Sequence, residues 1–122
     1  MKENIILEKS LNFSLMAIDY YKLMLTQHEY VLSKQFVRSA TSIGANVNEA
    51  TAAQSKKDFI SKMSIASKEA RETKYWLTLL EKSKIVDLNL DKATQEIDEI
   101  IKILTSIVKT ASINQLESKI KN

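Results

Sequence analysis

The scarcity of turn-forming residues constrains this chain more than any other property of its sequence. The 122 residues include one glycine, Gly44, and no proline, whereas a soluble chain of average composition has about eight glycines and about six prolines at this length. Tight turns depend on these two residue types, so the sequence disfavours an all-β fold or a doubly wound α/β fold. Domains commonly contain about 100–150 residues, and we predict a single domain over residues 1–122.

The composition also excludes several kinds of functional site. The chain has no cysteine and one histidine, His28. It therefore has no disulfide, no thiolate nucleophile and no cysteine-ligated metal, and one imidazole cannot form a metal site that needs two or three histidines. A carboxylate-metal bundle needs Glu-x-x-His pairs, which the sequence lacks. We predict a protein that is not an enzyme and that has no catalytic residue, cofactor, metal or small-molecule substrate.

No stretch of the sequence has the apolar length that a bilayer requires. The longest run without Asp, Glu, Lys or Arg has ten residues, from Ser39 to Asn48, and a membrane helix needs about 20 predominantly apolar residues. Met1 is followed directly by Lys2 and Glu3 rather than by an apolar secretory segment. We therefore expect a cytoplasmic protein that has no membrane partner.

Four stretches carry apolar residues at helical spacing, which predicts four helices. Short connections near residues 27–32, 53–54 and 84–90 join them, and short loops connect antiparallel neighbours. The predicted fold is therefore an all-α, antiparallel, up-down-up-down four-helix bundle. The polar end, about residues 112–122, is expected to fray.

The potential N-cap residues are Asn4, Ser33, Ser55 and Asp91. The predicted core positions, from the first helix to the fourth, are Leu7, Leu11, Leu15, Ile18 and Leu25; Leu32, Phe36, Ala40, Ile43, Val47 and Ala50; Phe59, Met63, Ala66, Ala70, Leu77 and Leu80; and Ile97, Ile100, Ile101, Leu104, Ile107, Val108 and Ala111.

The third helix separates its charges by sign. At 3.6 residues per turn, six of its seven basic residues between positions 56 and 82 lie within an arc of about 120°. Like charges three or four positions apart repel by roughly 0.2–0.5 kcal/mol, so this sorting is unfavourable for an isolated helix. One interpretation is a solvated face in which Glu72 relieves Lys68. The other is a ridge that binds nucleic-acid phosphates.

The basic excess of the chain belongs to helices two and three. Residues 31–85 carry ten basic and five acidic side chains, whereas the whole chain has a net charge of +3. A basic patch of this kind is typical of proteins that contact phosphates. The candidate nucleic-acid-binding residues are Lys34, Arg38, Lys56, Lys57, Lys68, Arg71 and Lys74.

A second strip on the third helix lies away from the predicted core positions. It follows the three-four spacing of a helix-packing seam and consists of Ile65, Glu69, Glu72, Trp76 and Leu79. A tryptophan with charged companions is typical of protein interfaces, so one interpretation is a subunit contact in a homo-oligomer. The alternative is packing against another helix of the same bundle.

Small residues dominate the second helix. Its glycine, Gly44, costs about 1 kcal/mol relative to alanine inside a helix, so we expect a neighbouring helix to approach closely there. Arg38 and Glu49 lie on one side of the same helix, and we expect them to frame a polar seam that meets Glu69 or Glu72 of the antiparallel third helix. Buried polar contacts of this kind fix the register between helices.

Two runs of the sequence together resemble a known family. The first is Gln35-x-x-Arg38-Ser39-Ala40-x-Ser42-Ile43-x-Ala45-Asn46-x-x-Glu49-Ala50, and the second is Ala70-Arg71-Glu72-Thr73-x-Tyr75-Trp76-Leu77. These runs and their spacing are similar to the signature of the bacterial four-helix bundle proteins, also called 23S rRNA intervening-sequence proteins or the S23 family. The resemblance covers roughly residues 5–110.

The resemblance implies a fold and a class of function. It implies a left-handed up-down bundle that assembles as a homopentamer and is not an enzyme. Many members of the family are encoded within insertions in 23S rRNA genes. A related group serves as accessory proteins of diversity-generating retroelements, where a basic surface contacts RNA and reverse transcriptase.

Two functions stay open from the sequence. The first is an oligomeric RNA- or DNA-binding accessory protein, with rRNA as a candidate partner and the basic residues of helices two and three as its contacts. Tyr75 lies close to these residues and is available either to stack on a base or to pack in the core or an interface. The second is a protein-interaction scaffold whose basic arc meets an acidic protein without nucleic acid.

Overall fold

Four α-helices form the protein in a computed structural model that describes the backbone of residues 2–121 and the side chains of residues 4–121. The helices are α1 (Lys2–Thr26), α2 (Leu32–Thr51), α3 (Lys56–Ser83) and α4 (Asp91–Lys121). Each helix packs against its neighbours in the chain, and α1 also packs against α4. Within the described residues the diagonal pairs α1–α3 and α2–α4 have no Cα atoms within 8 Å of each other. The predicted all-α four-helix bundle is confirmed, while its left-handed turn stays a prediction.

Side-chain contacts show that adjacent helices run in opposite directions. Lys9, early in α1, forms an ion pair with Glu99 in the third turn of α4, with Nζ and Oε2 2.7 Å apart. Tyr20, later in α1, donates its hydroxyl hydrogen bond to the carbonyl of Asn89, which precedes α4, at 3.0 Å. Lys9 also lies 3.8 Å from Glu96, and its hydrogen bond to Glu99 raises the pKa of the Lys9 ammonium. These contacts fix the register between the first and last helices.

A continuous apolar core lies between the four helices. All the core positions that the sequence predicts for α2, α3 and α4 are buried or half-buried, which confirms their apolar stripes. A buried polar contact accompanies them, since Thr73 Oγ1 of α3 lies 2.9 Å from Ser39 Oγ of α2. Both hydroxyls also bond to carbonyls of their own helices. Burying a hydroxyl is unfavourable unless it is hydrogen-bonded, so this pair supports one register of α2 on α3.

The core stripe predicted for α1 is wrong at its three central positions. Leu11 is 58% exposed, Leu15 is 55% exposed and Ile18 is 37% exposed, whereas Leu7 and Leu25 are half-buried. The buried face consists instead of Ile6, Ser10, Phe13, Ala17 and Met24. Helix α1 has apolar residues at helical spacing on two sides, so periodicity alone cannot choose between them. We call Leu11, Leu15 and Ile18 the outer strip of α1.

The close approach expected at Gly44 is confirmed. A β-carbon added there would lie 3.4 Å from Ser14 Oγ and 3.5 Å from the carbonyl oxygen of Ser10. Ser14 donates a hydrogen bond to that same carbonyl at 3.0 Å, so the polar groups of α1 that face Gly44 are satisfied within α1. Helix α1 thus passes close to Gly44, at distances that would still accommodate a β-carbon in ordinary van der Waals contact.

The N-cap predictions have mixed outcomes. Ser55 is confirmed, because its hydroxyl accepts the backbone N–H of Asp58 at 3.0 Å at the start of α3. The prediction is wrong for Asn4, since α1 already includes Lys2, and for Ser33, which lies inside the first turn of α2. Asp91 is the first residue of α4, and its N–H is bonded to Asn89 Oδ1 at 2.9 Å.

Helix α2 is capped by Glu29, which the sequence did not point to. Glu29 is 6% exposed, and its carboxylate accepts the backbone N–H groups of Val31, Leu32 and Ser33. Burial, the largest single influence, raises the pKa of this carboxyl, but the hydrogen bonds from Ser33, Val31 and Leu32 together outweigh it and lower the pKa. The carboxylate satisfies helix-terminal donors that have no partner within the helix.

Residues 112–121, which the composition predicts to fray, are helical, and their fraying stays a prediction. Helix α4 continues to Lys121, because its last turns contain good helix formers and neither glycine nor proline. Its late apolar side chains are nevertheless open to solvent, with Leu116 60% exposed and Ile120 76% exposed. None of the helices, over the described residues, combines the length and apolar character needed to cross a membrane.

Candidate nucleic-acid interface

Ion pairs join the outer sides of α2 and α3. Arg38 Nη1 lies 3.2 Å from Glu69 Oε2, and its Nη2 pairs with Glu72. One end of the same junction is closed by Lys62, whose Nζ lies 2.9 Å from Glu49 Oε2, a hydrogen bond that raises the pKa of Lys62. The expected meeting of Arg38 with the acidic residues of α3 is confirmed, and Glu49 pairs with a lysine. We call these five residues the paired junction.

The carboxylate of Glu72 is directed towards α2 rather than towards the basic ridge. Its Oε2 accepts the indole N–H of Trp76 at 2.9 Å in addition to the Arg38 guanidinium. Among the described residues, Lys68 makes no ion pair within 4.0 Å. Glu72 therefore does not pair with Lys68, whose exposed ammonium is open to water or to a ligand, and both interpretations of the basic arc stay open.

Basic residues of α3 also lie beside α4. Arg71 Nη2 is 3.3 Å from Thr105 Oγ1, and Lys74 Nζ is 2.7 Å from Asp98 Oδ1. Both lysine and acid in the second pair are exposed by more than two fifths of their side-chain surface, so water weakens that pair. These contacts turn the basic arc of α3 towards α4.

Two further lysines belong to the same surface, and the sequence prediction missed them. Lys102 precedes Thr105 by three residues and Lys109 follows it by four, so all three share one face of α4. Because α3 and α4 are antiparallel, Lys109 comes level with Lys68 and Lys102 comes level with Lys74. Both added lysines are exposed and have no ion pair in the described part of the chain. Spacing on α4 could have shown them, but only together with the α3–α4 register.

We call this surface the cationic face. It consists of Lys68, Arg71, Lys74, Lys102 and Lys109. Asp98, through its pair with Lys74, is the acidic residue in direct contact with it.

The other predicted contacts are distributed unevenly around the cationic face. Lys56 and Lys57 are exposed at the start of α3 and extend the face towards that end of the bundle. Lys34 lies in the first turn of α2, which is diagonal to α4, so the structure does not bring it to the face. Arg38 belongs to the paired junction, where two carboxylates share its charge.

The strip predicted as a subunit contact lies along the edge of α3 nearest α2. Ile65 is 39% exposed, whereas Trp76 and Leu79 are half-buried. Glu69 and Glu72, between them, are engaged with Arg38 of the same chain. The strip is thus neither buried inside the bundle nor fully open, and part of its polar capacity is already used within the protomer.

The chemistry available at the cationic face is electrostatic. Ammonium and guanidinium groups on rigid helices bind phosphate oxygens by charge and hydrogen bonds. No group of three or more His, Asp or Glu side chains able to hold a metal occurs in the described chain. His28 lies in the loop after α1 at φ 64°, is exposed, and has Nδ1 3.0 Å from the Tyr30 hydroxyl.

The fold and the sorted charges define the class as a small antiparallel four-helix bundle with a basic outer surface. The chain belongs to the family of the 23S rRNA-intervening sequence protein, whose family model matches residues 2–106. The match includes α1, α2, α3 and the part of α4 that carries Lys102, and it confirms the resemblance seen in the sequence. No curated protein matches the chain.

A solved structure supports the same family. The chain is 46% identical to a protein with unknown function from the S23 ribosomal protein family of Bacteroides thetaiotaomicron VPI-5482, whose crystal structure was determined at 1.70 Å resolution. The similarity covers 89% of this chain and 99% of that chain, with a TM-score of 0.85. The shared fold therefore extends over nearly the whole bundle.

Proposed function

We propose that this protein is a non-enzymatic, cytoplasmic accessory protein that binds RNA or DNA through its cationic face and works as a homo-oligomer. The observation that carries the proposal is the difference between the two sides of α3. On one side, Glu69 and Glu72 form ion pairs with Arg38. On the other side, Lys68, Lys102 and Lys109 have no acidic partner among the described residues. The family name, which refers to intervening sequences of 23S rRNA, makes rRNA the first ligand to test.

The expected affinity of one protomer is modest. The cationic face offers five basic side chains, and counterion release gives a slope of log K against log salt of about −0.7 per neutralised phosphate on a single strand. The net charge of the chain is only +3, so long-range attraction is weak. A homo-oligomer repeats the face in each subunit, and linked weak contacts can raise the overall affinity by about 10²–10⁴-fold.

Salt dependence is the direct test of this function. Fluorescence anisotropy with a labelled, structured fragment of 23S rRNA should show binding at low salt and a steep loss of affinity towards physiological salt, with a log–log slope of about −3.5 for one face. A slope near zero, or no binding at about 0.05 M salt where phosphate contacts are strongest, would contradict the proposal.

Self-association is the second part of the proposal, with a homopentamer as the expected assembly. Two surfaces can serve it: the α3 strip of Ile65, Trp76 and Leu79, with Glu69 and Glu72 between them, and the outer strip of α1. We propose the α3 strip, since it combines a half-buried tryptophan with charged companions.

Native mass spectrometry can decide both the assembly and the surface. The wild-type chain should be oligomeric at micromolar concentration, and Ile65→Glu should shift it towards the monomer. Leu15→Glu, on the outer strip of α1, is the matched control. A monomeric wild type would contradict self-association, while dissociation by Leu15→Glu alone would assign the contact to α1.

A protein-interaction scaffold is the alternative function. The exposed outer strip of α1 favours it, because exposed apolar side chains in a row are typical of protein-binding surfaces. Affinity purification before and after nuclease treatment separates the two functions. Partners lost after nuclease support a nucleic-acid function, and partners retained support the scaffold.

A further inference from the structure

Tyr75 is an exposed aromatic side chain in the middle of a basic ridge. It is 58% exposed, so it does not pack in the core. Its ring makes a T-shaped contact with Trp76, with centroids 5.2 Å apart and planes at 69°. Among the described residues, no hydrogen bond engages its hydroxyl and no cation–π contact covers its ring. Tyr75 is thus supported from one side by Trp76 and open to solvent on another.

Three positive charges share the exposed side of α3 that carries Tyr75. Lys68 and Arg71 lie seven and four residues before it, and Lys82 lies seven residues after it, so all three share its side of α3. All four residues are exposed. Glu69 and Glu72 are turned away from this side, since both pair with Arg38 across the α2–α3 groove. The ring therefore lies between cations that can hold phosphates on either side of it.

An aromatic ring between cations on a convex helix suits one form of nucleic acid. In a duplex the bases are already stacked and paired, so their flat faces are closed to a side chain on the protein surface. An unpaired nucleotide offers its base for stacking while its flanking phosphates reach the cations. Stacking requires no particular base, because every base has a π face.

We propose that the ligand of the cationic face is an unpaired, single-stranded segment of nucleic acid, with one base stacked on Tyr75 and its neighbouring phosphates held by Lys68 and Arg71. This inference rests on the proposed nucleic-acid function and names the form of ligand that the site takes. Lys82 extends the same path towards the end of α3, and Thr78, exposed between Tyr75 and Lys82, leaves room for the strand.

The test compares Tyr75 variants on paired and unpaired RNA. The probe is a labelled RNA of about 20 nucleotides without self-pairing, long enough to cover the ridge, used alone and annealed to its complement. Tyr75→Leu, which keeps the apolar bulk without a π system, should weaken single-strand binding about tenfold, in line with the loss of one stacked base. Tyr75→Phe should bind as the wild type does, and duplex binding should be unchanged by either variant.

A matched control and a second measurement make the result specific. Tyr30 is 56% exposed and also makes an edge contact, with His28, but it lies in the loop before α2; Tyr30→Leu should leave single-strand binding unchanged. Trp76 is the only tryptophan and touches Tyr75, so single-strand binding should alter its fluorescence more than duplex binding does.

The outcomes separate this inference from the proposed function. If single strand and duplex bind equally, with Tyr75→Leu without effect on either, the stacking site is overturned while phosphate binding by the cationic face stands. If the wild type binds neither form at low salt, both are overturned. A tenfold loss confined to the single strand and restored by Tyr75→Phe establishes the site.

Discussion

The two sides of α3 use their charges in opposite ways. Towards α2, Arg38 closes on Glu69 and Glu72, and the charges cancel within the protein. Towards α4 and solvent, Lys68 makes no ion pair among the described residues and Arg71 contacts a hydroxyl, while Asp98 pairs with Lys74. Exposed ion pairs contribute little, at most about 1 kcal/mol, so the paired junction mainly fixes how α2 lies on α3. Its second effect is to remove acids from the neighbourhood of the cationic face.

Charge reversal on the cationic face should give the largest effect. Lys68→Glu combined with Lys109→Glu removes two phosphate contacts and adds two repulsions. We expect the affinity for an rRNA fragment to fall about 100-fold at low salt, which is about 2.8 kcal/mol at 1.4 kcal/mol per factor of ten. Anisotropy titrations measure this loss.

The matched control carries the same change in net charge elsewhere. Lys22→Glu with Lys34→Glu alters exposed lysines of α1 and α2 and should lower affinity less than threefold. Equal losses in the two double variants would mean that RNA responds to overall charge rather than to a defined face. The free energy of unfolding of both double variants should lie within about 0.5 kcal/mol of the wild-type value, as is usual for surface substitutions.

The buried Glu29 carboxylate should contribute to stability and not to RNA binding. Glu29→Ala leaves the N–H groups of Val31, Leu32 and Ser33 without their carboxylate acceptor. We expect a loss of about 2 kcal/mol in the free energy of unfolding, at the upper end for an N-terminal cap because Ser33 is buried. Urea denaturation measures it, and RNA affinity of the folded protein should be unchanged. A loss below about 0.5 kcal/mol, the level of a neutral surface change, would show that water replaces the carboxylate.

The pH dependence of stability should reveal the same carboxylate. The pKa of Glu29 is lowered by folding, so its charged form stabilises the protein at pH values above the unfolded pKa of about 4.3. This contribution is lost as the pH falls below that value and through the lower folded pKa. The stability difference between wild type and Glu29→Gln should be constant above about pH 5.5 and shrink below about pH 4.3. A constant difference down to pH 3 would be inconsistent with this titration.

Replacing Arg38 and Arg71 separately by alanine tests whether the two sides of α3 are distinct surfaces. Arg38→Ala should cost about 0.5–1 kcal/mol of stability, discounted because the Arg38 side chain is 48% exposed, with little change in RNA affinity. Arg71→Ala should do the reverse, weakening RNA binding severalfold with stability nearly unchanged. If both variants behave alike in both assays, the paired junction and the cationic face are one surface rather than two.

The architecture and three of its four core stripes could be predicted because α2, α3 and α4 each carry one dominant apolar stripe at helical spacing. The prediction for α1 failed at Leu11, Leu15 and Ile18 because these exposed residues have the same helical spacing as the residues that are buried. Tertiary packing made the choice, since Gly44 and the small residues around it bring α2 against the side of α1 that carries Ser10 and Ser14.

The candidate site was predictable where it depends on one helix and not where it depends on two. The sorting of charges on α3 is a property of its sequence, so Lys68, Arg71 and Lys74 could be singled out. Lys102 and Lys109 depend on the register of α4 against α3, which becomes visible through the Arg71–Thr105 contact. The cap at α2 was missed because Glu29 acts from outside the helix, four positions before the residue chosen for that role.

A substitution at the uncharged contact between α1 and α2 should have the smallest effect on the free energy of unfolding, and it should stabilise the protein rather than destabilise it. Gly44→Ala adds a β-carbon at 3.4 Å from Ser14 Oγ and 3.5 Å from the Ser10 carbonyl, ordinary van der Waals distances, and it removes the conformational cost of a glycine inside a helix. We expect a gain of about 0.5 kcal/mol in thermal or urea unfolding. Gly44→Val is the control for space, because its γ-methyl groups would meet the α1 backbone and should destabilise the fold. A loss of stability in Gly44→Ala would contradict this expectation and show that the contact with α1 is tighter than these distances indicate.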